Sequence, residues 1–286
     1  MARLEKQVVL ITGCSSGIGR ALALEFHAHG HRVFATARKL TSLTELETAG
    51  MEIRQLDVTN SQSIRSAVNS VVQETGRLDI VVNNAGILVV GPLAEISIDD
   101  FRAEFETNVT GALAVVQAAV VHMHRQGGGR IVNVGSVSAE LATPFSGAYC
   151  ASKAALHTLT DVLRIELEPF GIETILVAPG AVKSSIDTGA RRYAEKYRSA
   201  ESIYHPVSKQ IERRAGASQE RPMTAEAFAR RFVQMVTAAK APRMVRIGRE
   251  AWIFPVVKAG LPAGTRDRLL SRAFGLGKLK GQVPRR

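Results

Sequence analysis

The chain has 286 residues, of which 45% are hydrophobic, 22% charged and 5% aromatic. This composition excludes a disordered or fibrous chain, and the length suits one large domain with a full hydrophobic core. Two cysteines are too few for a disulfide framework, so a reducing, intracellular and cytoplasmic location is expected. The N-terminal sequence lacks the apolar region of a signal peptide, and no uncharged apolar run reaches the ~18 residues that a membrane span needs.

The net charge of +11 is concentrated in two late segments of the chain. Residues 241–286 contain eleven Lys or Arg against two Asp or Glu, and residues 191–214 contain seven against three, which leaves the rest slightly acidic. A nucleic-acid binder would need a basic core surface and aromatic side chains interleaved for stacking, and the sequence indicates neither. We therefore expect no nucleic acid partner.

Short β-branched segments alternate with longer segments of helical periodicity along the chain. Several of the short segments are apolar at every position, as parallel strands covered on both faces require. The pattern predicts a single doubly wound α/β domain of the Rossmann type over residues 1–248, with a mostly parallel sheet of about seven strands flanked by helices. The predicted strands are Val8–Thr12, Arg32–Ala37, Ile53–Asp57, Ile80–Asn83, Ile131–Gly135, Thr174–Ala178 and Met244–Ile247, and the predicted helices are Gly19–His29, Ser61–Thr75, Asp99–Gln126 and Ala148–Phe170.

Two segments differ from this framework. Residues 183–218 are polar, basic and contain tyrosines, which favours a mobile substrate lid. Residues 249–286 are a basic, partly apolar C-terminal extension in which aromatic and aliphatic groups adjoin Lys and Arg. Such a sequence suits peripheral contact with an internal membrane or a lipid droplet, and the alternative is a tail that covers the domain edge with its charges solvated.

The histidines and cysteines do not suggest a metal or nucleophile site. His27, His29 and His31 are spaced two residues apart, so they would point in different directions on a helix, and no metal site is predicted. Cys14 and Cys150 are expected to be small packing residues.

A glycine-rich segment between the first strand and the first helix predicts a dinucleotide site. Gly13 permits a tight turn, Gly17 lets the backbone approach a pyrophosphate, and Gly19 allows close packing of helix on strand. The helix N-terminus would face the phosphates with its N–H groups. The second strand ends without a carboxylate for a ribose 2′-hydroxyl, and Arg38 can hold a 2′-phosphate instead. NADP(H) is therefore the expected cofactor.

Six motifs follow one another at spacings that resemble those of one enzyme family. They are Thr12-Gly13-x-x-x-Gly17-x-Gly19, Asn83-Asn84-Ala85-Gly86, Asn108, Ser136, Tyr149-x-x-x-Lys153 and Pro179-Gly180. Together they resemble the short-chain dehydrogenase/reductase family over about Val8 to Ile247. The likeness is greatest to the branch that contains 1-acyldihydroxyacetone-phosphate reductases and 17β-hydroxysteroid dehydrogenase-like enzymes.

The resemblance implies the further cofactor contacts. Asp57 and Val58 would border the adenine, and the segment that starts at Asn84 would line the adenosine side. Val182 and Ser184 would touch the nicotinamide amide, where serine keeps the hydroxyl of the family's usual threonine and loses its methyl group. The full expected cofactor set is Gly13, Ser15, Ser16, Gly17, Ile18, Gly19, Arg38, Asp57, Val58, Asn84, Ala85, Gly86, Tyr149, Lys153, Pro179, Gly180, Val182 and Ser184.

The expected catalytic groups are Asn108, Ser136, Tyr149 and Lys153. Tyr149 and Lys153 lie four residues apart on a predicted helix, so their side chains share one face. The ammonium and an oxidised nicotinamide would stabilise the phenolate, so the pKa of Tyr149 is expected to fall below its ordinary value near 10. NADPH would deliver hydride to a carbonyl carbon while Tyr149 protonates the oxygen, which Ser136 holds. Asn108 would hold a water that links Lys153 to solvent, and Lys153 would also hold the nicotinamide ribose.

The loops at the strand C-termini should surround the substrate, and their apolar residues indicate a lipophilic ketone or aldehyde, steroid-like or derived from an acyl lipid. If the substrate carries a phosphate, as an acyl dihydroxyacetone phosphate does, Arg191 and Arg192 could meet it. A steroid-like ketone would need no such charge. The expected substrate contacts are Ser136, Leu141, Phe145 and Tyr149.

Two alternatives remain open beside a reductase. The same fold could run as an NADP-dependent alcohol dehydrogenase for a hydroxysteroid or retinol-type substrate, or it could be a non-catalytic NADPH-binding interaction module. The predicted helices Asp99–Gln126 and Ala148–Phe170 resemble those through which family members assemble, so a homodimer or homotetramer is expected.

Overall fold

Seven short strands pair in parallel to form one sheet in the computed structural model, which describes residues 6–220 and 222–280. The strands are β1 (Val8–Ile11), β2 (Arg32–Ala37), β3 (Glu52–Gln55), β4 (Ile80–Asn83), β5 (Gly129–Val134), β6 (Ile172–Pro179) and β7 (Met244–Ile247). Their order is β3-β2-β1-β4-β5-β6-β7, so the chain changes direction beside β1 and leaves a crevice at the carboxyl ends of β1 and β4. The predicted fold class and all seven predicted strands are confirmed, with shifts of a few residues at the ends.

The described residues also contain eleven α-helices, most of which connect successive strands across the faces of the sheet. Asn60 caps one of them, because its Oδ1 accepts 3.0 Å hydrogen bonds from the backbone N–H groups of Gln62 and Ser63. The helices are α1 (Gly17–Ala28), α2 (Thr44–Thr48), α3 (Ser61–Thr75), α4 (Ile98–Phe105), α5 (Gly111–Arg125), α6 (Gly147–Leu167), α7 (Ile186–Glu195), α8 (Ser208–Gly216), α9 (Ala225–Val236), α10 (Glu250–Gly260) and α11 (Ala263–Ala273).

The apolar core lies on both faces of the sheet. On one face α1 and α9 bury Phe26, Phe228 and Phe232 completely, and the rings of Phe26 and Phe232 meet edge to face at 6.3 Å between centroids. On the other face α3 and α5 bury Val68 and Met123 against the strands. Covering both faces is what permits the central strands to be apolar at every position.

The helix predicted over Asp99–Gln126 is interrupted. It begins as α4, passes through one turn of π-helix at Glu106–Thr110, and continues as α5. The wider turn carries Asn108 toward the sheet, and π-turns of this kind are frequent at functional sites. None of the helices in the described part of the chain is long and apolar enough to span a bilayer.

A third apolar cluster joins the predicted lid to the C-terminal extension. The lid forms α7 and α8, which bury Ala194 and Ile211 around Phe145. The extension forms α10 and α11 and then returns, so that Phe274 and Leu276 pack against the same cluster. Residues 249–280 therefore contact the strand domain directly, and they help to enclose the region that follows the sheet's carboxyl edge.

Candidate active site

One cleft runs along the carboxyl edge of the sheet, and most of the predicted cofactor residues line it. Gly180 and Val182 do not line the cleft, and Val182 is buried behind it. The lining also contains residues that the sequence did not single out, among them Leu88, Ile186 and Tyr193. The predicted residues on the cleft wall are Gly13, Ser15, Ser16, Gly17, Ile18, Gly19, Arg38, Asp57, Val58, Asn84, Ala85, Gly86, Tyr149, Lys153, Pro179 and Ser184.

The glycine-rich loop leaves no room for side chains. Gly13 and Gly17 have φ values of +73° and +55°, which favour glycine. A Cβ at Gly17 would lie 2.9 Å from the Cβ of Ser184, and one at Gly19 would lie 2.3 Å from the carbonyl oxygen of Gly13. The loop thus forms a close backbone cradle at the N-terminus of α1, which is the geometry that binds a pyrophosphate.

Asn84 holds this loop in place. Its Nδ2 donates hydrogen bonds to the carbonyl oxygens of Thr12 and Gly13, at 2.9 and 3.1 Å. In return, Thr12 Oγ1 accepts 3.0 Å hydrogen bonds from the N–H groups of Asn84 and Ala85. The side chain of Asn84 therefore joins the end of β1 to the end of β4. Asn84 and the two residues that follow it line the cleft.

Charged side chains mark the end of the cleft beside β2 and β3. Arg38 follows β2 directly and is exposed on the cleft wall. Asp57 also lines the cleft, and its Oδ1 accepts hydrogen bonds from the N–H and hydroxyl of Thr59 at 3.0 and 2.8 Å. The carboxylate of Asp57 is thus engaged by its own loop, and Arg38 forms no ion pair with any residue in the described part of the chain.

Tyr149 and Lys153 share the inner face of α6, as predicted from their spacing. Lys153 Nζ donates a 2.8 Å hydrogen bond to the carbonyl oxygen of Val134, and it lies 5.8 Å from the centroid of the Tyr149 ring. Burial raises the pKa of Tyr149 to about 12, although a hydrogen bond with Ser136 opposes the rise. Burial also lowers the pKa of Lys153 to about 8, with the charge of Glu104 acting in the opposite direction.

The fall in the pKa of Tyr149 expected from the sequence depends on an oxidised nicotinamide as well as on the ammonium of Lys153, so that expectation stays a prediction. Among the chain's own groups, the cost of burying a phenolate outweighs the hydrogen bond with Ser136 and the positive charge of Arg214. At neutral pH the hydroxyl keeps its proton and is able to donate it.

The side chain of Asn108 is tied to a loop of the cleft wall. Its Oδ1 accepts from the N–H of Ile87 at 2.9 Å, and its Nδ2 donates to the carbonyl oxygen of Ile87 at 2.9 Å and to Ser152 Oγ at 3.1 Å. A Cβ at Gly86 would lie 3.1 Å from Asn108 Oδ1 and 3.8 Å from Lys153 Nζ, so the two side chains are both close to the same glycine.

Glu104 is a buried carboxyl group that the sequence did not reveal. It lies one helical turn before Asn108, and its Oε1 accepts a 3.1 Å hydrogen bond from the N–H of Val89. Its Oε2 is buried and has no hydrogen-bond partner in the described part of the chain. Burial raises the pKa of Glu104 to about 8, while the hydrogen bond from Val89 and the charge of Lys153 lower it. A single glutamate in an amphipathic helix gives no sign in the sequence that its carboxyl group is buried.

His157 is a second residue that the sequence did not indicate. It lies one turn beyond Lys153 on α6, and its Nε2 accepts a hydrogen bond of 3.3 Å from the N–H of Ser136. Burial, with the charges of Lys153 and other basic groups, lowers the pKa of His157 to about 4. The ring is therefore neutral at physiological pH and stays a hydrogen-bond acceptor behind Ser136.

Of the four expected substrate contacts, Tyr149 lines the cleft, whereas Ser136, Leu141 and Phe145 do not. Leu141 and Phe145 are buried, and the carbonyl oxygen of Phe145 accepts a 2.8 Å hydrogen bond from the N–H of Gly91. Phe145 has a φ of +66°, which is unusual for a side chain of this size. Its ring packs edge to face against Tyr204 of the lid and Phe274 of the extension, at 6.3 and 5.8 Å.

The two arginines expected to meet a substrate phosphate are on the outside of the lid. Arg191 is 58% exposed and pairs with Asp187. Arg192 is also exposed. Their positions do not support the role that was expected for them.

A wholly parallel sheet, a glycine cradle at its carboxyl edge and a tyrosine–lysine pair on one buried helix face define a class of dinucleotide-dependent oxidoreductases. The chain belongs to the short-chain dehydrogenase/reductase family, since the sequence model of the short chain dehydrogenase family matches residues 7–194.

Two relatives and one solved structure are similar to this chain over nearly its whole length. The chain is 40% identical over 280 residues to the short-chain dehydrogenase ptmH of Penicillium ochrochloron, covering 96% of this chain and 100% of the relative. It is 35% identical over 278 residues to the NADPH-dependent 1-acyldihydroxyacetone phosphate reductase of Schizosaccharomyces pombe, covering 96% and 90%. The solved structure of a short-chain dehydrogenase from Streptomyces avermitilis has a TM-score of 0.76 at 29% identity, covering 96% and 98%. The chain is therefore similar to oxidoreductases along its full length.

Proposed function

We propose that this chain is an NADPH-dependent reductase that converts a lipophilic ketone or aldehyde into the alcohol. The observation that carries the proposal is the half-buried Tyr149 on the wall of a cleft with a phosphate cradle, with Lys153 Nζ 5.8 Å from its ring centroid and Ser136 acting on its hydroxyl. The substrate would be steroid-like or an acyl-lipid ketone. The similarity to an NADPH-dependent acyl-lipid reductase supports the same class.

The residues of the cleft fit a nicotinamide dinucleotide. Gly13, Gly17 and Gly19 would hold its pyrophosphate, and Arg38 would hold the 2′-phosphate that distinguishes NADP. Lys153, whose ammonium lies on the cleft wall, would hold the nicotinamide ribose. When bound, the cofactor supplies the hydride of the reaction.

Tyr149 would act as the general acid. Because its pKa is raised to about 12, the hydroxyl carries its proton at neutral pH and can pass it to the substrate oxygen as negative charge develops there. Ser136 would donate a second hydrogen bond to the same oxygen, and the neutral ring of His157 fixes the Ser136 backbone. Asn108 would keep the Gly86–Ile87 turn beside Lys153 and would position a water that connects Lys153 to solvent.

The apolar cluster around Phe145 supports a lipophilic substrate. It combines residues of the lid and of the extension, so we place the substrate pocket between the domain of residues 1–248 and residues 249–280. The helix α10 exposes Trp252, Ile253 and Val256 beside Lys258, which supports peripheral contact of the extension with lipid. We also retain the prediction that the lid of residues 183–218 is mobile.

Assembly into a homodimer or homotetramer is a further part of the proposal. The outer faces of α5 and α6 expose Val121, Val162 and Ile165, at 49%, 44% and 68% of their surface. A row of exposed apolar side chains on two long helices suits contact with a second copy of the chain.

A turnover assay with Tyr149→Phe tests the proposed function. NADPH consumption would be measured with a steroid ketone, a long-chain acyl dihydroxyacetone phosphate, a retinal and a small polar ketone, and NADH would be compared as cofactor. We expect a lipophilic compound to be reduced with NADPH preferred, and the variant to lose at least about 100-fold in kcat because the proton donor is gone.

Three results would contradict the proposal. NADPH binding without turnover of any carbonyl compound would favour a non-catalytic binding module. Oxidation of the alcohols with no reduction of the ketones would favour the alcohol dehydrogenase direction. Equal rates of the variant and the parent would remove Tyr149 from the chemistry.

A further inference from the structure

Arg214 is a cation on the inner side of the lid. It lies near the end of α8, and its Nε donates hydrogen bonds to Thr143 Oγ1 at 3.2 Å and to Ser146 Oγ at 3.0 Å. Ser146 is fully buried and immediately precedes α6, three residues before Tyr149. The guanidinium of Arg214 therefore reaches from the lid to the segment that leads into the catalytic helix.

Three other arginines of the lid are exposed and form ion pairs. Arg191, Arg198 and Arg213 form ion pairs with Asp187, Glu212 and Glu220 respectively. Within residues 6–220 and 222–280, by contrast, no carboxylate lies in ion-pair distance of Arg214. Arg214 thus differs from its neighbours in lacking a negative partner, although it is the more buried side chain.

The surroundings of Arg214 do not compensate its charge. Burial lowers the pKa of Arg214, and the ionisable groups that act on its charge are Cys150 and Tyr149. A thiol and a protonated phenol supply no carboxylate, and an arginine keeps its charge even when it is buried. Arg214 is half-buried, so its guanidinium loses part of its hydration without gaining a carboxylate, and an anion would supply the missing negative partner.

The free side of the guanidinium is suited to an oxyanion. Only Nε takes part in the hydrogen bonds to Thr143 and Ser146, and no acceptor is recorded for the two terminal nitrogens among the described residues. Those nitrogens can donate in parallel to two oxygens of a carboxylate or phosphate. The same charge lowers the pKa of Tyr149, so Arg214 lies within electrostatic range of the reacting oxygen.

We propose that Arg214 binds an oxyanion, a carboxylate or a phosphate, carried by the carbonyl substrate. The inference rests on the proposed function and narrows its substrate class to an amphiphilic anion. The carbonyl would lie at Tyr149, the anionic group at Arg214, and the apolar part against the cluster that contains Phe145 and Ile211. Arg191 and Arg192, on the outer surface, take no part.

A binding measurement tests this assignment without requiring turnover. Dodecanoate, dodecyl phosphate and the uncharged dodecanol would be titrated calorimetrically into the NADP⁺-saturated parent, Arg214→Gln, Arg214→Lys and Arg213→Gln proteins. Arg213 is the matched control because it is the adjacent arginine, 75% exposed and paired with Glu220. We expect Arg214→Gln to weaken one of the anions by about tenfold or more and to leave dodecanol within about twofold.

The two arms of the titration identify the anion. Stronger loss for dodecanoate indicates a carboxylate, and stronger loss for dodecyl phosphate indicates a phosphate. Arg214→Lys should retain part of the affinity, since it keeps the charge but not the planar fork. Arg213→Gln should behave as the parent protein.

A purely structural role for Arg214 gives a different result. If the residue only braces Thr143 and Ser146, Arg214→Gln weakens dodecanol and both anions equally and lowers the melting temperature, which overturns the inference. Unchanged binding of both anions also overturns it. Absence of carbonyl reduction in the parent protein, together with anion binding that depends on Arg214, would reject the proposed function and retain the anion site.

Discussion

Burial controls the ionisable residues of the site more strongly than their charged neighbours do. Tyr149 and Lys153 are shifted in opposite directions, to pKa values of about 12 and about 8, because both lose the hydration of their charged forms. The phenol therefore holds its proton through the physiological range. The ammonium of Lys153 loses its proton far more readily than an exposed lysine, which suits a group that returns a proton to the tyrosine.

Burial also raises the pKa of Glu104, so the free energy of unfolding should depend on pH. Its carboxyl titrates near pH 8 in the folded chain, against an ordinary value of 4.5. Between these values the folded chain holds a proton that the unfolded chain has released, so the unfolding free energy falls as the pH rises. Glu104→Gln keeps an acceptor for the Val89 N–H and removes the titration. We expect the variant to gain about 2–4 kcal/mol relative to the parent between about pH 5 and about pH 8.5.

Urea unfolding at several pH values in that window measures the difference. His157 titrates alike in both proteins, whereas the pKa of Lys153 depends on the charge of Glu104, so the difference between the two profiles reports Glu104 together with its coupling to Lys153. Parallel profiles would show that Glu104 has an ordinary pKa in the folded chain.

The sequence predicted the proximity of Tyr149 and Lys153 better than the buried groups around them. Tyr149 and Lys153 were identifiable because a four-residue spacing places two side chains on one helix face. Glu104 and His157 act through single contacts with Val89 and Ser136, and such contacts between distant residues leave no spacing in the chain.

At the scale of elements, the sheet was predictable and the helix irregularities were not. Most strands of the sheet are short apolar segments, so their positions were evident within a few residues. The π-turn at Glu106–Thr110 contains Asn108, whose side chain hydrogen-bonds the backbone of Ile87, and such a contact between distant segments leaves no pattern in the sequence. Residues 183–218 were predicted as a mobile lid because the segment is rich in polar and basic residues. In the structure it contains α7 and α8, whose buried residues include several alanines.

The element from α4 through the π-turn to α5 supports the cleft wall through Asn108. Replacing Asn108 by alanine removes three hydrogen bonds and leaves the backbone of Ile87 unpaired. We expect a loss of about 1–3 kcal/mol in unfolding free energy and a higher KM for NADPH, since the Gly86 turn lines the cofactor cleft. Denaturant unfolding and steady-state kinetics measure both effects.

Ser152→Ala is the matched control, because of the three it removes only the hydrogen bond from Asn108 Nδ2, together with the bond that Ser152 Oγ itself donates to the Tyr149 carbonyl oxygen. It should cost less stability and leave the KM for NADPH near that of the parent. An Asn108→Ala protein with parent-like affinity for NADPH would mean that the turn holds its position without Asn108.

At the scale of the whole molecule, the C-terminal extension completes the enclosure of the site. Glu250 at the start of α10 accepts a 3.2 Å hydrogen bond from the N–H of Ala181, directly after the Pro179–Gly180 turn. At its other end the extension brings Phe274 to Phe145. The extension thus contacts both the Pro179–Gly180 turn and Phe145, and a tail that covers the edge of the domain was one of the two alternatives that its sequence left open.

Phe274 connects the extension to the substrate side, and its removal should change substrate binding more than cofactor binding. Phe274→Ala takes away the edge-to-face contact with Phe145, whose backbone is held at a φ of +66°. We expect a loss of about 1–3 kcal/mol in unfolding free energy and a several-fold higher KM for a lipophilic ketone, with the KM for NADPH unchanged. Leu269→Ala, in the same extension but 50% exposed, should leave all three quantities near those of the parent. Equal effects of the two variants on the ketone KM would place the substrate away from the extension.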